Sequence, residues 1–305
     1  MWKRPGNKQK RQGPLRPPLY ELHFAFYHFC MPAQEQPIGV FDSGVGGLSV
    51  LRAIRQQMPE ESVVYFGDQG HIPYGPRPMG QIQRFSGAIT RFLLDQGAKI
   101  IVVACNAASA AALGSLRETF PDISFVGMEP AVKPAAEHTA TGVVGVLATP
   151  ATFQGALYAS VVERFASGVE LLQDTCLGLV QQIEKGDLNG PLTRRILEEA
   201  LHPMLERNID TVVLACTHYP FVIPLIQEIV GERVRVIDPA PAVARQAKRL
   251  LEAQGSQRGQ GGRPEIRFFT SGDPNFARAL VPELLGETIR VEGIGWDENK
   301  VMLMA

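Results

Sequence analysis

A continuous apolar run that ends in a cysteine occurs twice in this chain. Residues 99–106 read Lys-Ile-Ile-Val-Val-Ala-Cys-Asn, and residues 210–217 read Asp-Thr-Val-Val-Leu-Ala-Cys-Thr. Such a run is typical of a strand that is buried on both faces of a parallel sheet. Cys105 and Cys216 are therefore predicted to lie at the carboxyl ends of two buried strands, where open α/β sheets bind their ligands.

The matched positions of these two thiols predict a chemistry that uses both of them. Thiols from the two halves of a duplicated chain can face one carbon atom from opposite sides. Inverting a stereocentre by proton transfer calls for an acid/base group on each face, so the pair indicates a racemase or an epimerase. A lone free cysteine is more often an inert core residue, and we keep that interpretation for Cys30 and Cys176.

Predicted strands alternate with predicted helices through most of the chain. The strands are expected at 37–41, 62–66, 99–104, 123–127, 143–148, 169–173, 210–215 and 266–269, and the helices at 48–58, 81–96, 107–119, 150–165, 193–208 and 241–253. This alternation predicts an α/β fold whose parallel sheet carries helices on both faces. The Gly- and Gln-rich segment 254–264 is predicted to be a loop.

Composition excludes several classes of partner. With a net charge of −1 over 305 residues, the chain has no electrostatic reason to bind nucleic acid or an anionic membrane. No apolar run approaches the roughly 20 residues that span a bilayer. The four cysteines show no metal-ligand spacing. We expect reduced thiols and a cytoplasmic location.

The first 36 residues differ from the rest. Residues 1–18 are basic and rich in Pro, Gly and Gln, a composition that cannot build a core. Residues 22–30 resemble the apolar region of a signal peptide, but they contain two histidines and lack a cleavage site. We predict a disordered basic extension over 1–36, with Met31 as an alternative start, and favour this over export.

A glycine-rich turn, Asp-Ser-Gly-Val-Gly-Gly, follows the first predicted strand at residues 42–47. With Asp68 at the end of the next strand it comes close to a dinucleotide-binding fingerprint, which keeps a nucleotide-dependent oxidoreductase as an alternative. Ser49 replaces the third glycine, however, and Asp42 would repel a pyrophosphate. Ser43 and the backbone N–H groups of a helix N-terminus suit a carboxylate, while Asp42 suits an ammonium group. Together these preferences describe an amino acid.

Four motifs resemble those of the glutamate racemase family, in the same order and at similar spacing. They are Val40–Val50, Pro73–Gly75, Val103–Asn106 and Cys216–Pro220, and the resemblance extends over about residues 37–293. It implies two pseudo-symmetric, doubly wound parallel-sheet domains with the active site in the cleft between them, no cofactor and no metal. The first domain would comprise 37–130 and 240–305, and the second 131–239. The implied activity interconverts L- and D-glutamate and supplies D-glutamate for peptidoglycan.

The resemblance also implies roles for individual residues. Cys105 would act on D-glutamate and Cys216 on L-glutamate. The other catalytic positions are Asp42, Glu184 and His218, and the substrate-binding positions are Asp42, Ser43, Tyr74, Gly75, Asn106, Ala107, Thr217 and His218. Simple chemistry agrees with two of these roles. The helix dipole beginning at Cys105 would favour its thiolate, and His218 can exchange a proton with Cys216.

Three residues depart from the family pattern. Ala107 stands where a threonine is usual, so a hydroxyl expected to hold the substrate carboxylate is missing unless Ser109 or a water replaces it. His71 replaces a common arginine, and Leu177 a common proline, and both look peripheral. The alternatives left open are an aspartate or other amino-acid racemase, the oxidoreductase and a non-catalytic binding protein. His218 favours glutamate, because the aspartate branch usually has an acidic residue there. A homodimer is left open by the sequence.

Overall fold

The structure is a computed structural model that describes residues 31–261, 263–298 and 300–303. The predictions for residues 1–30, including Cys30, lie outside the described residues. Residues 31–36 form a turn in which the Glu35 N–H donates to the Pro32 carbonyl oxygen at 2.8 Å. This turn contacts the body of the protein, because the Lys99 ammonium group donates to the Gln34 carbonyl oxygen at 3.2 Å.

Strands and helices alternate as the sequence predicts. The strands are β1 (Ile38–Asp42), β2 (Val63–Gly67), β3 (Ile100–Val103), β4 (Phe125–Gly127), β5 (Val143–Ala148), β6 (Glu170–Asp174), β7 (Thr211–Ala215), β8 (Arg235–Ile237), β9 (Ile266–Thr270), β10 (Arg290–Asp297) and β11 (Lys300–Leu303). The α-helices are α1 (Leu48–Gln57), α2 (Met79–Asp95), α3 (Asn106–Thr119), α4 (Val132–His138), α5 (Pro150–Gln154), α6 (Ala156–Phe165), α7 (Leu179–Glu184), α8 (Pro191–Glu206), α9 (Ile223–Val230), α10 (Ala240–Ala253) and α11 (Pro274–Leu285). Across the described ranges, no helix is both long and apolar enough to cross a membrane.

The strands form two sheets with matching order. The first sheet runs β11-β10-β9-β2-β1-β3-β4, and the second runs β6-β5-β7-β8. All pairings are parallel except that of β10 with β11. The order β2-β1-β3-β4 is repeated as β6-β5-β7-β8, so the two cysteine strands, β3 and β7, occupy equivalent places. The prediction of an α/β fold with two parallel sheets is confirmed.

The central strands are buried along their length because helices cover both faces of each sheet. Every residue of β1, β3 and β7 is buried. A single hydrophobic cluster contains residues of both sheets, among them Val40 and Val102 from the first sheet and Val212 and Leu214 from the second. The first sheet takes its strands from 38–127 and 266–303, and the second from 143–237. The domain boundaries named above stay a prediction.

The fold differs from the sequence-based expectation in one broken helix and in several elements that were not predicted. The helix predicted over 150–165 is broken at Gly155, whose backbone is extended and lies so close to α3 that an added Cβ would sit 2.6 Å from the Cβ of Ala110. The hairpin β10–β11 was not predicted, because Gly293 and Gly295 interrupt its apolar pattern. The short elements α4, α7, α9 and β8, and the helix α11, were also missed.

Candidate active site

A cavity lies between the carboxyl ends of the central strands of both sheets. The space between its lining atoms is about 290 Å³, part of which is open solvent. Its lining comprises Ser43, Pro73, Tyr74, Gly75, Cys105, Asn106, Ala107, Thr149, Val180, Cys216, Thr217 and His218. Both cysteines border the same cavity, one after β3 of the first sheet and one after β7 of the second. The space therefore suits a small ligand with a thiol on each side.

Cys105 is the N-cap residue of α3. Its sulfur accepts a hydrogen bond from the Ala108 N–H at 3.4 Å and lies 3.8 Å from the Ser43 hydroxyl oxygen. Burial raises the pKa of the Cys105 thiol, and the charge of Asp42 raises it further, whereas the Ala108 and Ser43 donors lower it only in part. The Ala108 N–H at the start of α3 thus favours the thiolate, as the sequence predicts, but burial outweighs it and the pKa of Cys105 is raised overall.

Cys216 has a different neighbour. Its sulfur lies 3.8 Å from Nδ1 of His218, and Nε2 of His218 lies 2.6 Å from Oε1 of Glu184. Burial lowers the pKa of His218, but the hydrogen bonds to Cys216 and Glu184 and the Glu184 charge raise it well above its ordinary value. The pair with Glu184 therefore holds an imidazolium beside the sulfur of Cys216.

Glu184 is held in its ionised form by three donors. Burial raises its pKa, but the His218 ring, the Val45 N–H at 2.7 Å and the Gln69 side-chain amide at 3.0 Å lower it below the ordinary value. Helix α7, six residues long, carries this carboxylate from the second sheet to the glycine turn of the first. These contacts leave the Glu184 side chain only 11% exposed.

Asp42 ends β1 and is fully buried. It accepts hydrogen bonds from the Gly44 N–H at 2.8 Å and from the Thr217 hydroxyl at 3.0 Å. Burial raises the pKa of Asp42, and His218, Gly44 and Thr217 lower it in part. The bond to Thr217 joins the ends of β1 and β7, so the carboxylate links the two halves of the site from behind its surface.

The glycine turn has no room for a pyrophosphate. An added Cβ at Gly44 would collide with the Glu184 carboxylate, and one at Gly46 would collide with the His218 ring. The N–H groups of Gly44 and Val45 already donate to Asp42 and Glu184. These glycines allow the turn to pack against the His218–Glu184 pair. The dinucleotide interpretation of the turn is therefore not supported.

Asn106 is the most available polar side chain of the site. It is 4% exposed, and neither its amide oxygen nor its amide nitrogen has a hydrogen-bond partner in the described structure. Since buried polar groups are normally paired, this amide is free to bind a polar ligand in the cavity. Ala107 lies beside it and adds no polar atom to the lining.

Ser109 does not replace the missing hydroxyl of position 107. Its hydroxyl donates to the Val103 carbonyl oxygen at 3.1 Å and accepts from the Met128 N–H at 2.9 Å. Ser109 is also not among the residues that line the cavity. Its side chain therefore fixes the start of α3 to β3 and β4 rather than facing the ligand.

Known proteins match this chain over most of its length. A profile of the Asp/Glu/Hydantoin racemase family matches residues 38–247. The glutamate racemase of Ectopseudomonas mendocina (strain ymp) is 49% identical over 264 residues, which make up 86% of this chain and 99% of that protein. The chain belongs to the glutamate racemase family. The glutamate racemase of Pseudomonas aeruginosa (strain UCBPP-PA14) is likewise 49% identical, over 84% of this chain and 96% of that protein.

Solved structures of glutamate racemases share the fold. The RacE1 isoform of Bacillus anthracis is 32% identical, with a TM-score of 0.79 over 88% of this chain and 99% of that one. The glutamate racemase of Francisella tularensis subsp. tularensis SCHU S4, solved in complex with D-glutamate, is 30% identical, with a TM-score of 0.75 over 86% and 98% of the two chains. The two-sheet architecture is thus that of glutamate racemases.

The structure brings the predicted site residues together in two groups. The first borders the cavity directly: Ser43, Tyr74, Gly75, Cys105, Asn106, Ala107, Cys216, Thr217 and His218. The second group, Asp42 and Glu184, lies behind that surface and contacts it through Thr217 and His218. The phenol of Tyr74 donates to Asp68 at 2.6 Å, so its hydroxyl is already engaged. The catalytic and binding roles of these residues stay predictions.

Three lining residues were missed: Pro73, Thr149 and Val180. Thr149 had a signal in the repeated strand order. It follows β5 in the place that Ser43 takes after β1, so the duplication would have pointed to it. Its hydroxyl lies 3.1 Å from that of Thr152. Val180 had no signal, because α7 is too short to show helical periodicity.

Proposed function

We propose that this chain interconverts L- and D-glutamate by a two-base mechanism in which Cys105 and Cys216 act on opposite faces of the α-carbon. The observation that carries the proposal is the single cavity bordered by two buried cysteines, one at the end of each central strand. The relatives named above are glutamate racemases at 49% identity. In a cell the product D-glutamate would supply peptidoglycan synthesis.

The two thiols differ in a way that fits the L-to-D direction. The sulfur of Cys216, which lies beside the His218 ring, acts as the base: in its deprotonated form it takes the α-proton of L-glutamate, so the C–H bond breaks and an S–H bond forms. Cys105, which burial keeps protonated, gives its proton to the opposite face, and its S–H electron pair stays on sulfur. Each face thus has its own acid/base group. The D-to-L direction uses the same groups in reverse.

The polar groups around the cavity match the charges of an amino acid. The unpartnered amide of Asn106 and the hydroxyl of Ser43 can donate to a carboxylate. Thr217 borders the cavity, and its hydroxyl, which donates to Asp42 behind it, can accept from the ammonium group. The helix N-terminus at Asn106 also favours a bound anion. We infer that the substrate enters with its α-carbon between the sulfurs.

Circular dichroism of L-glutamate incubated with the protein and no additive tests the proposal. The ellipticity should fall to zero, because equal amounts of both enantiomers cancel. Parallel incubations with L-aspartate test the neighbouring racemase specificity, and the Cys105→Ala/Cys216→Ala double variant controls for chemical racemisation. Unchanged ellipticity with glutamate would refute the proposal, and a faster fall with aspartate would favour the aspartate racemase.

Two functions that the sequence left open can each be tested separately. A nucleotide-dependent oxidoreductase would copurify with a nicotinamide or flavin that absorbs in the near ultraviolet, so an absorbance scan of the purified protein tests it. A non-catalytic binding protein would take up glutamate in a calorimetric titration without racemising it. Neither alternative explains why both cysteines border the cavity with separate partners. A homodimer is a further proposal that light scattering decides.

A further inference from the structure

Asp68 collects hydrogen bonds from four side chains in three segments of the chain. It directly follows the last residue of β2 and is fully buried. Its donors are the hydroxyl of Tyr74 at 2.6 Å, the hydroxyl of Ser271 at 2.6 Å, the indole N–H of Trp296 at 2.9 Å and Nδ1 of His71 at 3.0 Å. Because a buried carboxylate needs such donors, the positions of these side chains depend on one another.

This carboxylate connects the cavity wall to the C-terminal hairpin. Tyr74 borders the cavity, whereas Trp296 belongs to β10. The two donors approach different oxygens, since Tyr74 donates to Oδ2 and Trp296 to Oδ1. The His71 ring packs against the rings of Phe85 and Trp296, with centroid distances of 4.1 Å and 5.0 Å. The hairpin thus reaches the site through two well-defined contacts.

The wall that Tyr74 forms is closely packed across the cleft. Gly75, the next residue after Tyr74, lies so near Thr149 that a Cβ added to Gly75 would be 2.9 Å from the Cβ of Thr149. The Gly75 carbonyl oxygen accepts from the Ala151 N–H at 3.0 Å. A change in the position of Tyr74 is therefore transmitted to the opposite wall, because well-packed walls leave little room for adjustment.

We propose that Trp296 is a positioning residue for substrate binding, which acts by orienting Asp68 and, through it, the Tyr74–Gly75 wall. Its indole N–H and the Ser271 hydroxyl together hold Oδ1 of Asp68, which leaves Oδ2 aimed at the Tyr74 hydroxyl. The Tyr74 hydroxyl takes no part in proton transfer, since Asp68 holds it. Losing the indole donor therefore weakens the binding of ground state and transition state alike, which raises KM and leaves kcat unchanged.

The test compares two variants of the same hairpin. Trp296→Phe keeps an aromatic ring but removes the N–H donor. Val301→Ala is the matched control, because Val301 of β11 packs against the same hydrophobic cluster as Trp296 but makes no bond to Asp68. We expect Trp296→Phe to raise KM for both glutamate enantiomers about tenfold, with kcat within about twofold of wild type. Val301→Ala should leave KM within about twofold.

A double-mutant cycle with Tyr74→Phe separates positioning from general damage. If Trp296 acts through Asp68 and Tyr74, adding Trp296→Phe to Tyr74→Phe should raise KM by less than about twofold. A second tenfold rise in that background, or an equal rise in KM for Val301→Ala, would overturn the inference. Thermal unfolding midpoints show whether each variant is folded.

The inference rests on the proposed function, and calorimetry keeps the two distinguishable. The Kd of D-glutamate should rise about tenfold in Trp296→Phe, whether or not the protein racemises it. If wild type binds glutamate without racemising it, the proposed function fails and the Kd comparison still decides the role of Trp296. If wild type racemises glutamate and Trp296→Phe has an unchanged KM and Kd, the inference alone fails.

Discussion

Cys105 and Cys216 occupy matching places in sequence but different electrostatic surroundings. Cys105 lies near the buried charge of Asp42, which together with burial raises the pKa of its thiol. Cys216 lies 3.8 Å from the ring of His218, whose pKa is raised well above its ordinary value. At the scale of single residues, the two halves of the site are therefore not equivalent, although the strands that carry them are.

Each thiol should be needed for both directions of the reaction. Cys105→Ala and Cys216→Ala should each lower racemisation of L- and of D-glutamate by about 10²–10⁴, the contribution of a positioned acid or base. In deuterated water, early turnover by wild type should place deuterium at the α-carbon mainly in the inverted product. Label entering the recovered starting enantiomer at a comparable rate would indicate a single base instead.

Position 107 should respond to a restored hydroxyl. The Ser109 hydroxyl is bonded to Val103 and Met128, so Ser109 does not supply this donor. Ala107→Thr should lower KM for glutamate, by up to the ~1.5–3 kcal/mol of a hydrogen bond to a charged acceptor. Ala107→Val, which has the same shape without the hydroxyl, is the control. Equal KM values for the two variants would show that the hydroxyl is not used.

Short elements supply the second half of the site. Helix α7 spans only Leu179–Glu184, yet it brings one carboxylate into contact with the glycine turn and with His218. Because Glu184 contacts both the turn after β1 and the His218 ring after β7, this helix couples the two halves of the site electrostatically. Its exposed neighbour Leu177, 78% exposed, makes no comparable contribution to the core.

The Glu184–His218 pair should make stability depend on pH. The raised pKa of His218 contributes stability that is complete below its unfolded value of about 6.5 and is lost as pH rises through the folded value. The lowered pKa of Glu184 contributes stability that is present above about 4.3 and is lost as pH falls through its folded value. Both contributions are complete only between these values.

Glu184→Gln should therefore lower the free energy of unfolding most at pH values between about 4.3 and 6.5. We expect a loss of about 3 kcal/mol near pH 5.5, as for a broken buried pair, and a smaller loss at pH 9. Urea unfolding at both pH values measures this difference. Glu198→Gln, which removes an exposed carboxylate 3.8 Å from Arg194 on α8, is the control and should show no comparable pH dependence. A loss that is equal at both pH values would contradict the ion pair.

At the scale of the whole molecule, one hydrophobic cluster contains residues of both sheets. Polar contacts at the edges of the sheets hold further segments to this core. At the amino ends of the strands, Lys99 lies in a buried pair with Glu61 at 2.7 Å and also donates to the carbonyl oxygens of Ser256 and Gln34. Burial lowers the pKa of Lys99, while the bond and charge of Glu61 raise it in part. The segment around Gln34 thus belongs to the folded unit.

Truncation should distinguish the two parts of the N-terminal region. A chain starting at Met31 should keep turnover within about twofold and stability within about 1 kcal/mol of the full chain, as for a neutral surface change. A chain lacking residues 1–36 also loses the Gln34 acceptor of Lys99 and should be destabilised by about 1 kcal/mol more. Activity assays and urea unfolding test both. Loss of activity on removing residues 1–30 would refute the prediction for the chain that starts at Met31.

The sequence by itself determined what is local and periodic. Continuous apolar runs such as 100–103 and 211–215 form buried strands, because such runs are stable only inside a sheet that is covered on both faces. The alternating fold and the positions of Cys105 and Cys216 at strand ends were therefore predictable. Motif order made the family resemblance specific. The interrupted hairpin β10–β11 and the short helix α7 were missed, since neither has enough periodic residues to show a pattern.

Only the tertiary structure decided how groups far apart in sequence affect one another. Burial beside Asp42 overrides the helix dipole at Cys105, and the Glu184–His218 contact joins positions 34 residues apart. Trp296 and Tyr74 share Asp68, a contact that no local pattern predicts. Burial and electrostatic interactions depend on which surfaces the fold brings together, and no single segment encodes that.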